Sequence, residues 1–469
     1  MPEYLSPGVY VEEVPSAVKP IAGVSTSTAC FLGVVPDAIQ IPRENPSYDP
    51  TGRAAKLDPD HAADSKNPFV LVGFTKASDA DVKAKKAALD NAKSDLDNNQ
   101  DPNKRAELTK TLQAAQRDYA QTASNTMGDD KTPYLCTNFS DFKRHFGDFS
   151  TDRGQNELAH AVYGFFNNGG TRCYVMRCAN PAELSDPESL APLEAIDEIS
   201  IVAAPGITDA GVQQNIVDHC TNMGSRFAVL DAPILEEGAD ITLDNLLKAK
   251  NTDYGAVYFP RISVFDIASK LQDPNGTGDK FVSPVGHIAG IYSRVDHERG
   301  VHKAPANEVI RGALDVEFQV SRNLQDGLNP HGVNCIRFIN NNITVWGART
   351  IGGDANTDLK YINVRRTLIF LRESIDQGTQ WVVFEPNDRT LWAKIVRNVT
   401  AFLTTVWRDG ALFGSTPQEA FYVKCDDETN PPEERDLGRV TTEIGVAIVR
   451  PAEFVIFRIS QWAGPQGQQ

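Results

Sequence analysis

Histidines and carboxylates are concentrated in one stretch of the last half of the chain. His287, Asp296, His297, Glu298 and His302 are residue types that bind metal ions or transfer protons. His297 and His302 are separated by five positions, which does not place both side chains on one face of a helix. Arginine and lysine side chains alternate with them and would repel a cation. The pattern favours a charged loop, and a hydrolase or metal-dependent enzyme is the alternative interpretation.

Two other places could carry chemistry. His219 and Cys220 could form a thiolate–imidazole pair, but Cys220 belongs to the apolar stripe of a predicted helix, which favours core packing. Asp231 follows the predicted strand Phe227–Leu230, where α/β enzymes often place an acid. Asp before Ala-Pro is also an ordinary strand-ending turn, and we favour that interpretation.

The common catalytic and nucleotide-binding motifs are absent from the sequence. There is no G-x-x-x-x-G-K-[ST] loop, no G-x-G-x-x-G after a strand, no G-x-S-x-G and no H-E-x-x-H. We therefore expect no catalytic residues, no cofactor and no bound metal.

Charge and cysteine content further limit the kinds of protein that fit this sequence. The 469 residues include 62 acidic and 46 basic side chains, for a net charge of −16, which disfavours binding to nucleic acid. The first residues do not resemble a signal peptide, and no window approaches the roughly 18 apolar residues of a membrane span. Seven cysteines without a C-x-x-C pattern predict buried, reduced thiols. We expect a cytoplasmic protein that does not insert into membranes.

Alternating apolar strands and helices predict a mixed α/β (α+β) fold. The strand Ile199–Ala204, a helix capped by Thr208 or Asp209, and the strand Phe227–Leu230 have the spacing of a βαβ unit. Further strands are predicted at Cys173–Cys178, Gly255–Val264, Asn340–Ala348 and Trp381–Phe384, and helices at Leu158–Phe166, Asp358–Gln377 and Leu391–Arg408.

The chain is expected to contain several domains. Residues 36–68 are rich in proline and predict an irregular loop, whereas residues 75–127 lack glycine and predict a helical hairpin with a thin apolar seam. The predicted divisions are an arm with the first strands (1–35), an outer insertion (36–134), a middle α/β domain (135–339) and a C-terminal domain (340–469).

Both ends of the chain contain apolar segments that could pair with another sheet. Phe454, Val455, Ile456, Phe457 and Ile459 fall on both faces of a predicted terminal strand, so both faces need cover. Such a strand is either central in its own sheet or laid into the sheet of another subunit, because free edges template aggregation.

The N-terminal arm raises the same question. Val9, Tyr10 and Val11 lie between prolines that block helix formation, which predicts a short extended segment. With the terminal strand, this gives two candidate donor strands for exchange between copies of the chain.

Several segments, in this order, resemble phage tail sheath proteins, a family that includes myophage tails, R-type pyocins and related injection systems. They are Tyr4–Val14, Phe165–Val175, Gly290–Asp296 with Arg299–Asn307, Val345–Thr350, Tyr361–Arg366 and Gly378–Asn387. The resemblance covers residues 4–35 and 135–463 and leaves out the insertion at 36–134.

The resemblance implies a multidomain tail-sheath fold with exchanged terminal strands. It implies a subunit that stacks as hexameric rings around an inner tube and contracts to drive that tube through a target envelope. The implied partners are other copies of the chain, the inner tube protein, the baseplate and the cap or terminator proteins. Assembly would take place in the cytoplasm of the producing bacterium, with release as a virion or extracellular particle.

The resemblance also suggests roles for charged residues. Arg294, Asp296, Arg299 and Lys303 would form structural ion pairs or contacts between subunits. The helix 391–408 would face the inner tube, with Lys394, Arg397 and Arg408 on that side.

Overall fold

The computed structural model describes residues 20–45, 48, 67–75, 79–99, 102–124, 127–236, 238, 240–247 and 250–458. The chain divides into two compact units by the density of its contacts. The described part of the larger unit is residues 25–367 and 450–458, and that of the smaller unit is residues 20–24 and 368–449.

The strands, in chain order, are β1 Ala29–Val34, β2 Ala38–Glu44, β3 Phe69–Thr75, β4 Tyr134–Cys136, β5 Cys173–Cys178, β6 Ile201–Ala203, β7 Phe227–Asp231, β8 Gly255–Phe259, β9 Ile262–Phe265, β10 Asp279–Val282, β11 Glu308–Val309, β12 Asp315–Val316, β13 Val333–Ile339, β14 Asn342–Val345, β15 Phe421–Lys424 and β16 Glu443–Val446.

The α-helices are α1 Asp79–Asn98, α2 Pro102–Ser124, α3 Phe139–Phe146, α4 Arg153–Asn167, α5 Ala191–Glu194, α6 Ala210–Met223, α7 Leu243–Leu246, α8 Ile267–Gln272, α9 Val285–Arg299, α10 Arg322–Leu328, α11 Ile362–Thr379, α12 Arg389–Arg408, α13 Pro417–Ala420 and α14 Pro432–Asp436.

The larger unit is built on a sheet in the order β11-β14-β13-β8-β7-β6-β1-β5-β4. The strands from β13 to β5 are parallel, and antiparallel strands flank them at both edges. Every residue of β7 and β8 is buried, as expected for parallel strands covered on both faces. The mixed α/β prediction is confirmed, and β6, α6 and β7 form the predicted unit, with Asp209 as the helix cap.

Helix α4 lies in the interior of the larger unit. The sequence predicted a helix over Leu158–Phe166, and the side chains from Gln155 to Val162 are all buried. Helix α9 packs closely against it, because a Cβ on Gly286 would collide with the backbone of Ala161. Small residues thus let the two helices approach almost backbone to backbone.

The insertion contains both predicted and unpredicted structure. Helices α1 and α2 pack together, which confirms the hairpin, and Leu89 and Ala92 form its buried seam. The loop prediction for residues 36–68 is wrong for Ala38–Glu44, because this segment pairs with β3 and buries Ile39 and Ile41.

Two strand predictions need correction. The predicted strand Gly255–Val264 is two strands, β8 and β9, which belong to different sheets. They are divided at Pro260, which has no N–H to donate to a ladder. The predicted strand at Trp381–Phe384 is a 3₁₀ turn, Gln380–Val382, that continues directly from α11.

The predicted domain boundary between residues 339 and 340 falls in the turn between two paired strands. Strands β13 and β14 pair across it as a hairpin, with Ile339 opposite Asn342. Asn340 and Asn341 both adopt positive φ, 47° and 65°, which asparagine tolerates in tight turns. The compact units meet in sequence between Thr367 and Leu368 instead, inside the continuous helix α11.

The smaller unit has its own core. Leu391, Ile395 and Val399 of α12 are buried among residues that include the strands β15 and β16. Asp388 caps α12 by accepting a hydrogen bond from the N–H of Leu391 at 2.8 Å. All seven cysteines are buried and free, which confirms that prediction. None of the described helices has both the length and the apolar character of a membrane span.

The contact between α4 and α9 can be tested by substitution. We expect Gly286→Ala to lower the free energy of unfolding by about 1–3 kcal/mol, because the added methyl group overpacks the helix pair. Gly327→Ala is the matched control, since open space surrounds Gly327 on α10 and alanine favours a helix there. Urea unfolding of the two variants would contradict the account if both lost equal stability.

Candidate assembly interface

The histidines and carboxylates that could have formed an enzyme site are not gathered together. They lie along α9 and the turn after it, so the predicted charged loop is a helix as far as Arg299. His287 and His297 are ten positions apart, about 15 Å along a helix axis at 1.5 Å per residue. His287 is buried, whereas His297 is exposed in the last turn. The hydrolase or metal-enzyme interpretation therefore has no support from the geometry.

His287 is a packing residue. Its ring lies against Gly164 of α4, where any Cβ would collide with it. Burial lowers the pKa of His287 to about 3, with a smaller effect from His160, so the imidazole is neutral at physiological pH. The ring's Nδ1 has no hydrogen-bond partner among the described residues.

Asp296 forms a buried ion pair with Arg366. Two hydrogen bonds join the groups, from Nη1 to Oδ1 at 2.9 Å and from Nη2 to Oδ2 at 2.6 Å, and Thr26 donates a third to Oδ2 at 2.6 Å. The guanidinium also lies 4.7 Å from the ring centroid of Tyr292. Burial disfavours the charged guanidinium, but Asp296 outweighs this and raises the pKa of Arg366. The pair ties α9 to α11 within the larger unit.

The other charged residues singled out by the resemblance lie nearby. Arg294 donates to the backbone carbonyls of Asn168 at 3.2 Å and Val309 at 3.0 Å. Lys303 donates to the carbonyl of Ala304 at 2.6 Å. Arg299 is exposed at the end of α9. Two of these side chains are thus occupied within the subunit, and Arg299 faces solvent.

A buried polar cluster at the carboxyl ends of the central strands was not predicted. Arg261 pairs with Glu157, whose other oxygen accepts from the N–H of Ser283 at 2.8 Å. Asp231 accepts from the N–H of Gly206 at 2.8 Å, and burial raises its pKa to about 7. The contact with Gly206 fits the strand-ending interpretation of Asp231.

His219 and Cys220 do not form a reactive pair. Nε2 of His219 lies 2.7 Å from Nη1 of Arg226, so the neutral imidazole accepts a hydrogen bond. Burial, with a contribution from Arg226, lowers the pKa of His219 to about 4. Burial raises the pKa of the Cys220 thiol to about 12. Core packing therefore accounts for both residues.

Among the described residues, one group of side chains has the composition of a metal site. The ligand atoms of Asp130, Cys178 and Glu183 lie within 4.8 Å of one another. Nζ of Lys131 is 3.4 Å from Glu183 and supplies positive charge at this position. We assign no metal to it.

Helix α12 has a basic outer surface. It contains four basic residues and no acidic residue. Arg397 and Arg408 are exposed and Lys394 is partly exposed, all away from the buried stripe. Arg389 pairs with Asp427 at 2.8 Å. The remaining three basic side chains present positive charge on an otherwise acidic protein.

The predicted terminal strand is not paired with any sheet over its described part, residues 451–458. Phe454, Val455, Ile456 and Phe457 are 71%, 68%, 77% and 84% exposed, and residues 451–458 belong to none of the described sheets. Of the two interpretations that the sequence left open, the segment is therefore not central in its own sheet. Ile459 and the other candidate donor, Val9–Val11, lie outside the described residues.

Directly before this apolar run, Glu453 is held tightly. Its Oε1 accepts from Asn329 Nδ2 at 2.7 Å and from Arg349 Nε at 2.8 Å. Its Oε2 accepts from Arg349 Nη2 at 2.8 Å and from the hydroxyl of Tyr361 at 2.9 Å. No local sequence pattern indicates this contact, because Glu453 and its partners are about a hundred positions apart along the chain.

The buried pair between Asp296 and Arg366 generates a stability prediction. Asp296→Asn should destabilise the larger unit by about 3–5 kcal/mol, because it leaves a buried guanidinium without its counter-charge. Asp358→Asn removes an exposed pair with Arg450 in the same unit and should cost no more than about 1 kcal/mol. Thermal unfolding followed by circular dichroism would contradict the account if the two variants were equally stable.

Two family models match the chain. The model described as the phage tail sheath protein central domain covers residues 182–351, and that of the phage tail sheath C-terminal domain covers residues 354–461. Together they span most of the described part of the chain after residue 182.

Curated relatives carry the same description. The tail sheath protein of Burkholderia phage BcepMu is 26% identical over 211 residues, which is 43% of this chain and 42% of that protein. The tail sheath protein of Vibrio phage KVP40 is 24% identical over 302 residues, which is 58% of this chain and 42% of that protein. The matched region thus spans less than half the length of each of these curated relatives.

A solved structure shares the fold over nearly the whole chain. The sheath complex of PVC, an extracellular contractile injection system, in its contracted state matches with a TM-score of 0.66 at 22% identity, covering 99% of this chain and 100% of the other. At this identity the likeness shows the fold alone. The two family models match consecutive parts of the sequence. The chain therefore belongs to the phage tail sheath family.

Proposed function

We propose that the chain is a structural subunit of a contractile sheath, which stacks as hexameric rings around an inner tube and contracts to drive the tube through a target envelope. The observation that carries this proposal is the exposed apolar run Phe454–Phe457. Single exposed apolar side chains are ordinary, but four in succession on one segment need cover. A neighbouring subunit's sheet provides that cover.

Strand exchange supplies both affinity and specificity. The segment's backbone pairs with the edge of a sheet on a second copy, and its alternate side chains enter pockets on the two faces. In the proposal Ile459 extends the same donor strand, and Val9, Tyr10 and Val11 form a second donor at the other end. Each subunit then contributes strands of its own chain to the sheets of its neighbours.

The inner tube is the second proposed partner. The basic stripe Lys394, Arg397 and Arg408 on α12 suits an acidic outer surface on the tube protein. Exposed charges attract each other weakly at physiological ionic strength, so such a contact holds the tube without preventing the sheath from sliding past it.

The charged residues around α9 divide between two roles in this proposal. Arg294, Asp296 and Lys303 stiffen the subunit through their internal contacts. Arg299, exposed at the end of the helix, is the residue of this group that we assign to a contact between subunits.

Contraction in this proposal draws on subunit packing. The sequence has no P-loop for nucleotide-driven work, so the energy is stored in an extended arrangement that is less stable than the contracted one. The baseplate triggers the change and the cap or terminator proteins end the sheath. Assembly takes place in the cytoplasm of a producing bacterium, followed by release as a virion or extracellular particle.

Removing the apolar segment tests the proposal. Deleting residues 454–469 should leave a folded, soluble subunit that forms no tubes in negative-stain images, because the donor strand is lost. The full chain should form tubes, and a shorter, wider state should be seen after a destabilising treatment. Tubes of normal yield from the truncated chain would overturn strand exchange.

The helical hairpin provides the matched control for that deletion. Replacing residues 79–124 with a short glycine–serine linker removes more residues, but none that the proposal assigns to a contact between subunits. Tube formation should be unchanged. Loss of tubes here would show that the hairpin takes part in assembly.

Charge reversal on α12 tests the tube contact. Lys394→Glu with Arg397→Glu should weaken co-assembly with the tube protein by about tenfold or more at low salt, since attraction becomes repulsion. Arg322→Glu, an exposed charge on α10, is the control and should have no effect. Co-sedimentation at two salt concentrations measures this, and equal binding by both variants would contradict the assignment.

A further inference from the structure

We propose that Glu453 is a positioning residue that fixes the point at which the apolar donor segment leaves the larger unit, so that a second copy of the chain meets the segment in one defined direction. The proposal rests on the proposed function and adds to it a device within the subunit.

The carboxylate of Glu453 is fully satisfied by its own subunit. Four hydrogen bonds reach it from Asn329, Arg349 and Tyr361, two to each oxygen. A carboxylate has about four lone-pair sites, so no acceptor capacity is left over. The bidentate contact with Arg349 is the strong, geometrically specific kind of ion pair.

The groups that hold Glu453 are themselves attached to the central sheet. The Asn334 side chain on β13 accepts from the N–H of Arg349 at 2.7 Å and donates to its carbonyl at 2.8 Å. The same amide donates to the carbonyl of Val257 on β8 at 3.1 Å. Arg349 and Tyr361 are also paired as an isolated bridge. Glu453 is thus anchored to the rigid core of the larger unit through Arg349.

The residues around Glu453 show what the anchor is for. Ala452 before it is exposed, and so are Phe454 to Phe457 after it. The segment contributes almost no apolar burial to its own subunit, so the four hydrogen bonds stabilise no core. They hold in place a segment whose side chains remain free for another molecule.

Anchoring at this position limits the reach of the segment. With Glu453 held, the free segment starts at Phe454. Without it, the free segment starts after Val449, whose N–H bonds to the carbonyl of Ala411 at 3.1 Å. Four extra residues would extend its reach by up to about 13 Å and multiply its conformations. Pre-ordering removes that entropy cost from assembly.

The decisive measurement is made on the unassembled subunit. Spin labels on Arg322→Cys and Arg458→Cys report the distance between α10 and the segment, and the native cysteines are buried and should not react. We expect a narrow distance distribution in the parent chain and one about twofold broader in Glu453→Gln, which loses the charge-assisted bonds. Tyr361→Phe removes one bond and should give an intermediate width.

Asp358→Asn is the matched control. It removes the 3.5 Å pair with Arg450, an exposed contact three positions before Glu453, and should leave the distribution narrow. If the distance distribution of Glu453→Gln is as narrow as that of the parent chain, the anchor proposal is overturned.

The pH dependence of the distance distribution distinguishes an ionised Glu453 anchor from a contact that depends only on packing. Burial alone would raise the pKa of Glu453, but the bonds from Arg349, Asn329 and Tyr361 outweigh it and lower that pKa. The anchored state is therefore fully present above the ordinary carboxyl range and is lost as the pH falls through the lowered value. Asp354, which Arg349 and Lys360 contact, titrates nearby. The distance distribution of the parent chain should broaden on acidification, while that of Glu453→Gln should not change.

Assembly connects the anchor to the sheath. The concentration at which tubes form should rise about tenfold in Glu453→Gln, because the loosened segment must be ordered on binding. A parent chain that forms no tubes would overturn the proposed function itself. Tubes from the parent and from Glu453→Gln at equal concentrations would overturn only the anchor.

Discussion

The structure depends on one constraint. Its own subunit leaves an apolar segment exposed, and that segment must be buried elsewhere. Phe454 to Phe457 are exposed to solvent, although a chain of 469 residues offers ample core in which to bury them. At about 25 cal/mol per Å², covering four such side chains favours association by several kcal/mol before entropy costs. The proposed strand exchange supplies that cover from a neighbouring subunit.

The rest of the larger unit provides a rigid platform for that segment. The close approach of α4 and α9 and the buried pair of Asp296 with Arg366 fix the helices on the sheet. Arg349, 3% exposed at its side chain, then connects the sheet to Glu453. Buried charges are costly unless fully paired, and these are paired within the subunit. Stiffness of this kind suits the proposed transfer of force through the terminal segments.

Local patterns predicted the elements whose own residues dictate them. The apolar run of β7 and the glycine-free hairpin each follow from composition or spacing within a few positions. The errors arose where tertiary context decides. The strand β2 forms despite Pro42 because β3 pairs with it, and the apolar Trp381–Phe384 run is a turn because α11 continues into it. The anchor at Glu453 depends on partners about a hundred positions away, which no local pattern reports.

The central claim is that the terminal segment completes the sheet of a second copy. Cryo-electron microscopy of tubes assembled from the purified chain tests it most directly, because the path of residues 450–459 can be traced from one subunit to the next. We expect Phe454 to Phe457 to lie as a strand paired with a sheet edge of a neighbouring subunit, with Glu453 still on Arg349 of its own. Tubes in which the segment folds back onto its own subunit, or remains exposed between subunits, would contradict the account.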